Sequence, residues 1–139
     1  MEKEEIQKRY KELILPENRS PYHFQKQDGI TPISAYKPMC VDKYQLYIKG
    51  QVHEAHFHGI GCAVSKASTS LLMKEIEGKT VDEVVKLCKD FLQAVASGTP
   101  SDRFSESLNL LIELKDFDGR LDCIRLSWKA LLSHLENIK

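Results

Sequence analysis

The chain has 139 residues, of which 42% are hydrophobic, and 20 acidic residues balance 20 basic ones, so the formal net charge is zero. These values predict a single domain over 1–139 with a core of its own. They do not favour a nucleic-acid or membrane partner, because there is neither a basic excess nor an apolar run of about 20 residues. The charged N-terminus lacks a signal-peptide pattern, so we expect a cytoplasmic protein whose four cysteines serve metal binding or thiol chemistry.

The N-terminal part of the chain predicts a helix followed by a long loop. Apolar residues at helical spacing mark a helix over 2–15, and Pro16 is expected to end it. The segment 17–38 is rich in proline, asparagine, serine and glycine, which is typical of loops. A short strand is expected near Ile33.

A β-hairpin is predicted next. Alternating side chains favour strands over 43–49 and 52–58, joined by a turn at Gly50. Cys40 precedes the first strand and Cys62 follows the second, and these two positions of a hairpin lie at the same end of the sheet. The pattern therefore predicts that the two thiols are neighbours in space.

Four helices are predicted in the second half of the chain. They run from Cys62 to about Glu77, from the capping box at Thr80 to Gly98, over 107–114, and along an apolar stripe from Ile124 to Ile138. A turn at 116–119 precedes the last helix, for which Asp122 is the expected N-cap. Cys123 then falls in the first turn of that helix.

Two of the cysteines are thus predicted at helix N-termini. Unpaired backbone N–H groups and the helix dipole favour thiolate over thiol there, and the thiolate is the form that attacks sulfur or binds metal. Gly59 and Gly61, just before Cys62, allow a sharp turn and the close approach of a ligand to the backbone.

A candidate four-ligand set consists of Cys40, Asp42, Cys62 and Cys123. Thiolates and a carboxylate suit zinc, and thiolates also suit iron–sulfur clusters. No pair of these cysteines has Cys-x-x-Cys spacing. The pattern alone therefore leaves open that the cysteines are small, buried apolar residues without any ligand role.

Three histidines near the hairpin look like a metal cluster but have a simpler interpretation. Alternation places His56 and His58 on one face of their strand and His53 on the other. We interpret His56 and His58 as solvent-facing, with a pH-sensitive or partner contact as the alternative. Cys88 and Trp128 lie on apolar helical stripes, so we expect an inert buried thiol and a packing residue.

Several motifs of the chain resemble those of one known family. They are Cys-x-Asp at Cys40, Gly-x-Gly-Cys ending at Cys62, the segment 117–123 ending in Cys123, and the Leu-Ser-Trp-Lys-Ala-Leu run at 126–131. In this order they resemble the U-type iron–sulfur cluster assembly family, which includes IscU, SufU and the N-terminal domain of NifU. The extra segment between Cys62 and Cys123, and Arg120 before the last cysteine, resemble the SufU branch.

The resemblance implies an α+β domain of SufE/NifU-like fold, in which a small, three-stranded, mostly antiparallel sheet packs against about five helices. It also implies a metal site of Cys40, Asp42, Cys62 and Cys123, which holds zinc in SufU-type proteins and a [2Fe–2S] cluster in IscU-type relatives. The implied function is that of a zinc-dependent sulfurtransferase in iron–sulfur cluster assembly. Such a protein accepts persulfide sulfur from a SufS-type cysteine desulfurase.

The resemblance further implies that Cys123 accepts the sulfur, with Cys62 as the alternative, and that Arg120 stabilises the anionic thiolate or persulfide. We expect a monomer or weak homodimer that passes sulfur or clusters to downstream assembly proteins. Two alternatives are a scaffold that assembles a [2Fe–2S] cluster without turnover and a divergent paralogue with a purely structural metal site. The chain departs from the family at Val41, where the family has glycine, and at Asp122, whose negative charge opposes ionisation of Cys123 unless metal is bound.

Overall fold

A computed structural model describes residues 3–36, 42–50, 54–116 and 121–137 of the chain. The strands β1 (Ile33–Tyr36), β2 (Lys43–Lys49) and β3 (Glu54–Ile60) form one antiparallel sheet in the order β1-β2-β3. The helices are α1 (Lys3–Arg9), α2 (Leu15–Arg19), α3 (Ala63–Ile76), α4 (Val81–Ser97), α5 (Glu106–Glu113) and α6 (Leu121–Asn137). A π-helical turn, Tyr10–Ile14, joins α1 to α2, and a 3-10 turn, Leu114–Asp116, follows α5. The expected α+β architecture is confirmed.

The first helix does not end at Pro16, and that prediction was wrong. The π-helical turn carries the chain from α1 into α2 without leaving helical backbone angles, and Pro16 lies in the first turn of α2. Pro16 follows the π-helical turn, in which the Leu15 N–H donates to the Tyr10 carbonyl five residues back, so the proline lies where the hydrogen-bond register of the helix changes. The helix instead ends at Ser20, whose N–H donates to the Pro16 carbonyl at 2.9 Å. The described residues therefore form five helical bodies and one sheet.

The sheet follows the predicted hairpin closely. β2 has the predicted bounds, and β3 extends to Ile60, two residues beyond the prediction, whereas 51–53, with His53, lie outside the described residues. Leu46 pairs with Ile33 on one side and Phe57 on the other, and its face of the sheet is buried. This face packs on α3 and forms one half of the core.

Residues 23–25 lie along the outer edge of β3. The Gln25 N–H donates to the Phe57 carbonyl at 2.9 Å, and the Phe57 N–H donates to the His23 carbonyl at 3.1 Å. The Ala55 N–H donates to the Glu77 carboxylate at 3.0 Å, and the Ala55 carbonyl lies 3.0 Å from His23 Nδ1. Four outward-pointing backbone groups of β3 are thus paired by neighbouring parts of the same chain.

The same segment covers the histidines of β3, which we had expected to face solvent. The His56 ring stacks on His23 with 4.6 Å between ring centroids, and His58 lies 4.7 Å from the Phe24 ring. Both histidines are half-buried. They do share one face of the strand, as predicted, but the loop before β1 folds back over that face.

Helices α3 and α6 meet along a seam of small hydroxyl side chains. Ten of the 14 residues of α3 are buried, which small side chains permit because neighbouring elements can come close. Ser68 Oγ donates to the Ile124 carbonyl at 2.6 Å and accepts from Trp128 Nε1 at 3.0 Å. Thr69 Oγ1 and Ser127 Oγ are 2.7 Å apart. These pairings fix how α6 lies against α3.

The remaining helices largely match their predictions. The capping box of Thr80 and Glu83 starts α4, and Gly98 ends it with φ at 73°. Ser105 caps α5, which begins at Glu106, one residue before its predicted start. Cys88 and Trp128 are fully buried, and burial raises the pKa of the Cys88 thiol to about 12, as expected of an inert core cysteine. Within the described ranges, no helix has the length and apolar character that a membrane span requires.

We predict that Ser68→Ala lowers the free energy of unfolding by about 1–3 kcal/mol, because the buried Trp128 Nε1–H and the Ile124 carbonyl each lose a partner. Urea unfolding measures the change. Ser97→Ala is the matched control, since Ser97 lies exposed at the end of α4. Its substitution is expected to change the free energy of unfolding by no more than about 0.5 kcal/mol. Equal losses in the two variants would contradict the role of the seam.

Candidate metal centre

The hairpin brings Asp42 and Cys62 together at one end of the sheet. Asp42 directly precedes β2 and Cys62 follows β3, while the residues between them, Lys43 and Ile60, pair across the two strands. The Asp42 side chain is 4% exposed, and its Oδ1 accepts a hydrogen bond from the Cys62 N–H at 2.8 Å. The structure thus places Asp42 beside Cys62 at this end of the sheet, whereas the expected meeting of Cys40 with Cys62 stays a prediction because Cys40 lies outside the described residues.

Cys62 is the N-cap of α3, as the sequence predicts. Its backbone is extended, with φ at −73° and ψ at 167°, and its sulfur accepts a hydrogen bond from the Ser65 N–H at 3.4 Å. A side chain at this position satisfies one of the N–H groups that a helix start leaves unpaired. The sulfur is therefore held where the positive end of the helix dipole acts on it.

Cys123 is the third residue of α6, and the contact between α3 and α6 carries it to the same place. The helix begins at Leu121, so Asp122 lies inside the first turn and is not its N-cap, which corrects the sequence prediction. Asp122 instead accepts a hydrogen bond from Arg125 Nη2 at 2.9 Å. The positive charge of Arg125 offsets the negative charge of Asp122, the residue before Cys123.

The electrostatics of Cys123 differ from the expectation for a thiol at a helix start. Burial, a hydrogen bond to Cys62, and the neighbouring Cys62 and Asp42 together raise the pKa of the Cys123 thiol to about 12. Burial, together with two neighbouring groups that carry negative charge when ionised, outweighs the helix dipole at Cys123. A cation bound among them would reverse the effect, because it stabilises the charged form of each ligand.

The ligand atoms of Asp42, Cys62 and Cys123 all lie within 4.8 Å of one another. Zinc binds cysteine sulfur at about 2.3 Å and carboxylate oxygen at about 2.0–2.2 Å, so three atoms at this spacing fit around one ion with small adjustments. Two thiolates and a carboxylate are a donor set that zinc accepts. The other two predicted site residues, Cys40 and Arg120, lie outside the described residues.

Two residues of the site were missed in the sequence. The Tyr44 hydroxyl lies 2.7 Å from Ser65 Oγ, and both residues are buried directly behind Cys62. Burial and the nearby acidic groups raise the pKa of Tyr44, so its hydroxyl stays protonated. The sequence held only a weak signal for these two residues. Tyr44 lies at an inward-facing position of β2, and Ser65 is the third residue of α3, where it contacts the N-cap residue Cys62.

Comparison with known proteins gives one consistent family. The sequence model described as "NifU-like N terminal domain" matches residues 1–115. An iron–sulfur cluster assembly scaffold protein IscU from Thermotoga maritima is 33% identical over 134 residues, which cover 93% of this chain and 94% of that protein. The zinc-dependent sulfurtransferase SufU from Bacillus subtilis is 27% identical over 126 residues, which cover 88% of this chain and 86% of that protein.

A solved structure supports the same assignment. It is a crystal structure described as an iron–sulfur cluster assembly scaffold protein for the SUF system, from Fervidobacterium islandicum. It superposes with a TM-score of 0.79 at 25% sequence identity and covers 96% of this chain and 99% of that one. The chain therefore belongs to the NifU-like N-terminal domain family, the family of the IscU- and SufU-type iron–sulfur cluster assembly proteins.

Proposed function

We propose that the chain is an iron–sulfur cluster assembly protein of the IscU/SufU type that binds zinc and accepts persulfide sulfur from a cysteine desulfurase of SufS type. The observation that carries the proposal is the convergence of Asp42, Cys62 and Cys123, from three separate elements, with their ligand atoms within 4.8 Å. The Bacillus subtilis relative, named a zinc-dependent sulfurtransferase, supports the choice of zinc. In this proposal Cys40 is the fourth ligand.

The residues of the site have distinct roles in this function. When bound, zinc keeps the cysteine ligands deprotonated at neutral pH. Asp42 is an oxygen ligand already oriented by the Cys62 N–H at 2.8 Å. Cys123 is half-buried, so a partner can reach it from the surface. We assign it as the sulfur acceptor and Arg120 as the group that stabilises its negative charge.

The transfer step balances without a further reactant. The Cys123 thiolate attacks the terminal sulfur of the donor's persulfide, and a new S–S bond forms on Cys123. The S–S bond of the donor breaks, and its electron pair leaves with the donor's thiolate. No electron is gained or lost overall, because one persulfide replaces another.

A second candidate function is that of a scaffold holding a nascent [2Fe–2S] cluster. The observation that favours it is the relative from Thermotoga maritima, named an IscU scaffold protein and similar over nearly the whole chain. The same thiolates suit such a cluster. Anaerobic reconstitution with iron and sulfide, followed by visible absorption, separates this function from the first.

We predict that the purified protein carries about one zinc ion per chain and that chelation exposes Cys62 and Cys123 to alkylation. After chelation, the alkylation rate of Cys123 should rise about tenfold per pH unit between about pH 8 and pH 10, since a raised pKa keeps most of the thiol protonated there. Metal analysis and peptide mass mapping measure both effects. Buried Cys88 is the internal control and should react only after unfolding. A zinc-free protein that folds normally and whose cysteines react as before would contradict the proposal.

We predict that the protein stimulates a SufS-type cysteine desulfurase and that Cys123→Ala abolishes the stimulation, because the acceptor sulfur is lost. Sulfide or alanine release measures the rate, and Cys88→Ala is the matched control because it removes a buried thiol that is not among the candidate ligands. Cluster formation on reconstitution without any stimulation would favour the scaffold function. A sharp loss of stability on chelation, with no response of the desulfurase, would identify a structural metal site.

A further inference from the structure

Two buried hydroxyl groups lie behind the sulfur of Cys62. The Tyr44 hydroxyl and Ser65 Oγ are 2.7 Å apart, and Ser65 Oγ lies 3.6 Å from Cys62 Sγ. The backbone N–H of Ser65 points at the same sulfur from 3.4 Å. A chain of hydrogen bonds thus runs from Tyr44 through Ser65 to Cys62, away from solvent.

Two glycines make room for this chain. A Cβ on Gly61 would lie 2.3 Å from the Tyr44 hydroxyl oxygen and 2.6 Å from Ser65 Oγ. A Cβ on Gly59, which has a φ of 151°, would lie 2.9 Å from Tyr44 Cδ1 and 2.2 Å from the Lys43 carbonyl oxygen. The Gly-x-Gly-Cys motif therefore accommodates the Tyr44 side chain as well as a turn.

The direction of the hydrogen bonds depends on the state of the sulfur. As a thiol, Cys62 donates to Ser65 Oγ, and the Ser65 hydroxyl donates to the Cys62 carbonyl at 3.1 Å. A thiolate has no hydrogen to donate, so the Ser65 hydroxyl turns towards the sulfur. Tyr44 then donates to Ser65 Oγ and strengthens that bond, since linked hydrogen bonds polarise one another.

Cys123 has a different set of partners. Its sulfur lies within 4.8 Å of the ligand atoms of Cys62 and Asp42, which are themselves candidate ligands. A metal ion would bind between these three groups, whereas the bonds from Ser65 to Cys62 come from groups that do not bind the ion. Cys62 is also fixed through its backbone N–H, which donates to Asp42.

We propose that Tyr44 is a positioning residue of the metal centre, which acts through Ser65 to hold the sulfur of Cys62 at the start of α3. Cys62 is thereby the fixed ligand, and sulfur transfer takes place at another cysteine. The second half of this statement rests on the proposed function, but the first half concerns metal binding alone. Hydrogen bonds to a ligating sulfur reduce its electron density, which makes it a weaker nucleophile, and they also fix its position.

Cobalt(II) binding in the absence of any partner protein tests the hydrogen-bond chain. Tyr44→Phe keeps the ring and removes only the hydroxyl, and Ser65→Ala removes the link to the sulfur. Both variants should shift the sulfur-to-cobalt charge-transfer absorption to longer wavelength, because the sulfur regains electron density. Tyr47→Phe is the matched control, since Tyr47 lies on the same strand and its hydroxyl bonds to Gln45 instead.

Alkylation of the zinc-loaded protein by iodoacetamide gives an independent measurement. Peptide mass mapping should show Cys62 as the slowest to react of the three candidate cysteine ligands in the unaltered chain. Its rate should rise about tenfold in Ser65→Ala, as expected for loss of a hydrogen bond to a charged group, rise by a smaller factor in Tyr44→Phe, and stay unchanged in Tyr47→Phe. After incubation with a desulfurase, added sulfur should be absent from Cys62.

Two results would overturn the proposal. One is a cobalt spectrum that neither Tyr44→Phe nor Ser65→Ala alters, and the other is alkylation of Cys62 before the other ligands in the unaltered chain. The second result is obtained with the unaltered chain, so it tests the proposal even if a substitution prevents folding. If the unaltered protein does not stimulate a desulfurase, the proposed function is wrong. The role of Tyr44 in metal binding is then still decided by the cobalt measurement, which needs no desulfurase.

Discussion

Hydrogen-bonded hydroxyl groups between α3 and α6 set the spacing on which the candidate metal centre depends. Cys62 caps the first of these helices and Cys123 lies in the first turn of the second, so the distance between the sulfurs follows from how the helices pack. An apolar contact of small residues would allow the helices to slide. The bonds from Ser68 and Thr69 to α6 need particular partners, and they therefore fix one register.

The fold places three acidic groups closer together than their charges favour. Asp42 is almost fully buried, and burial and neighbouring acidic groups raise the pKa of Cys123. A cation removes this penalty, and it must displace protons to do so. Any metal ion held by these side chains would therefore bind in a pH-dependent way, and acid conditions would favour its release.

Most elements of the fold could be predicted from local patterns in the sequence. Strand β2 and the start of α4 follow from alternation and a capping box, which involve residues close along the chain. The meeting of Asp42 with Cys62 follows from hairpin geometry for the same reason. The approach of Cys123 depends on long-range packing: residue type and position at a helix start made it a candidate ligand, and the family resemblance implied that it joins the site. The raised pKa of Cys123 and the contact of Tyr44 with Ser65 arise from the packed interior, which no local pattern encodes.

The pairing of residues 23–25 along β3 bears on how the protein avoids aggregation. An open strand edge is a template on which another chain can add a strand. Here the outward N–H and C=O groups of Ala55 and Phe57 already have partners in His23, Gln25 and Glu77. A second molecule cannot extend the sheet at these positions without first displacing the protein's own loop. Self-association by strand addition is therefore opposed at the outer edge of β3.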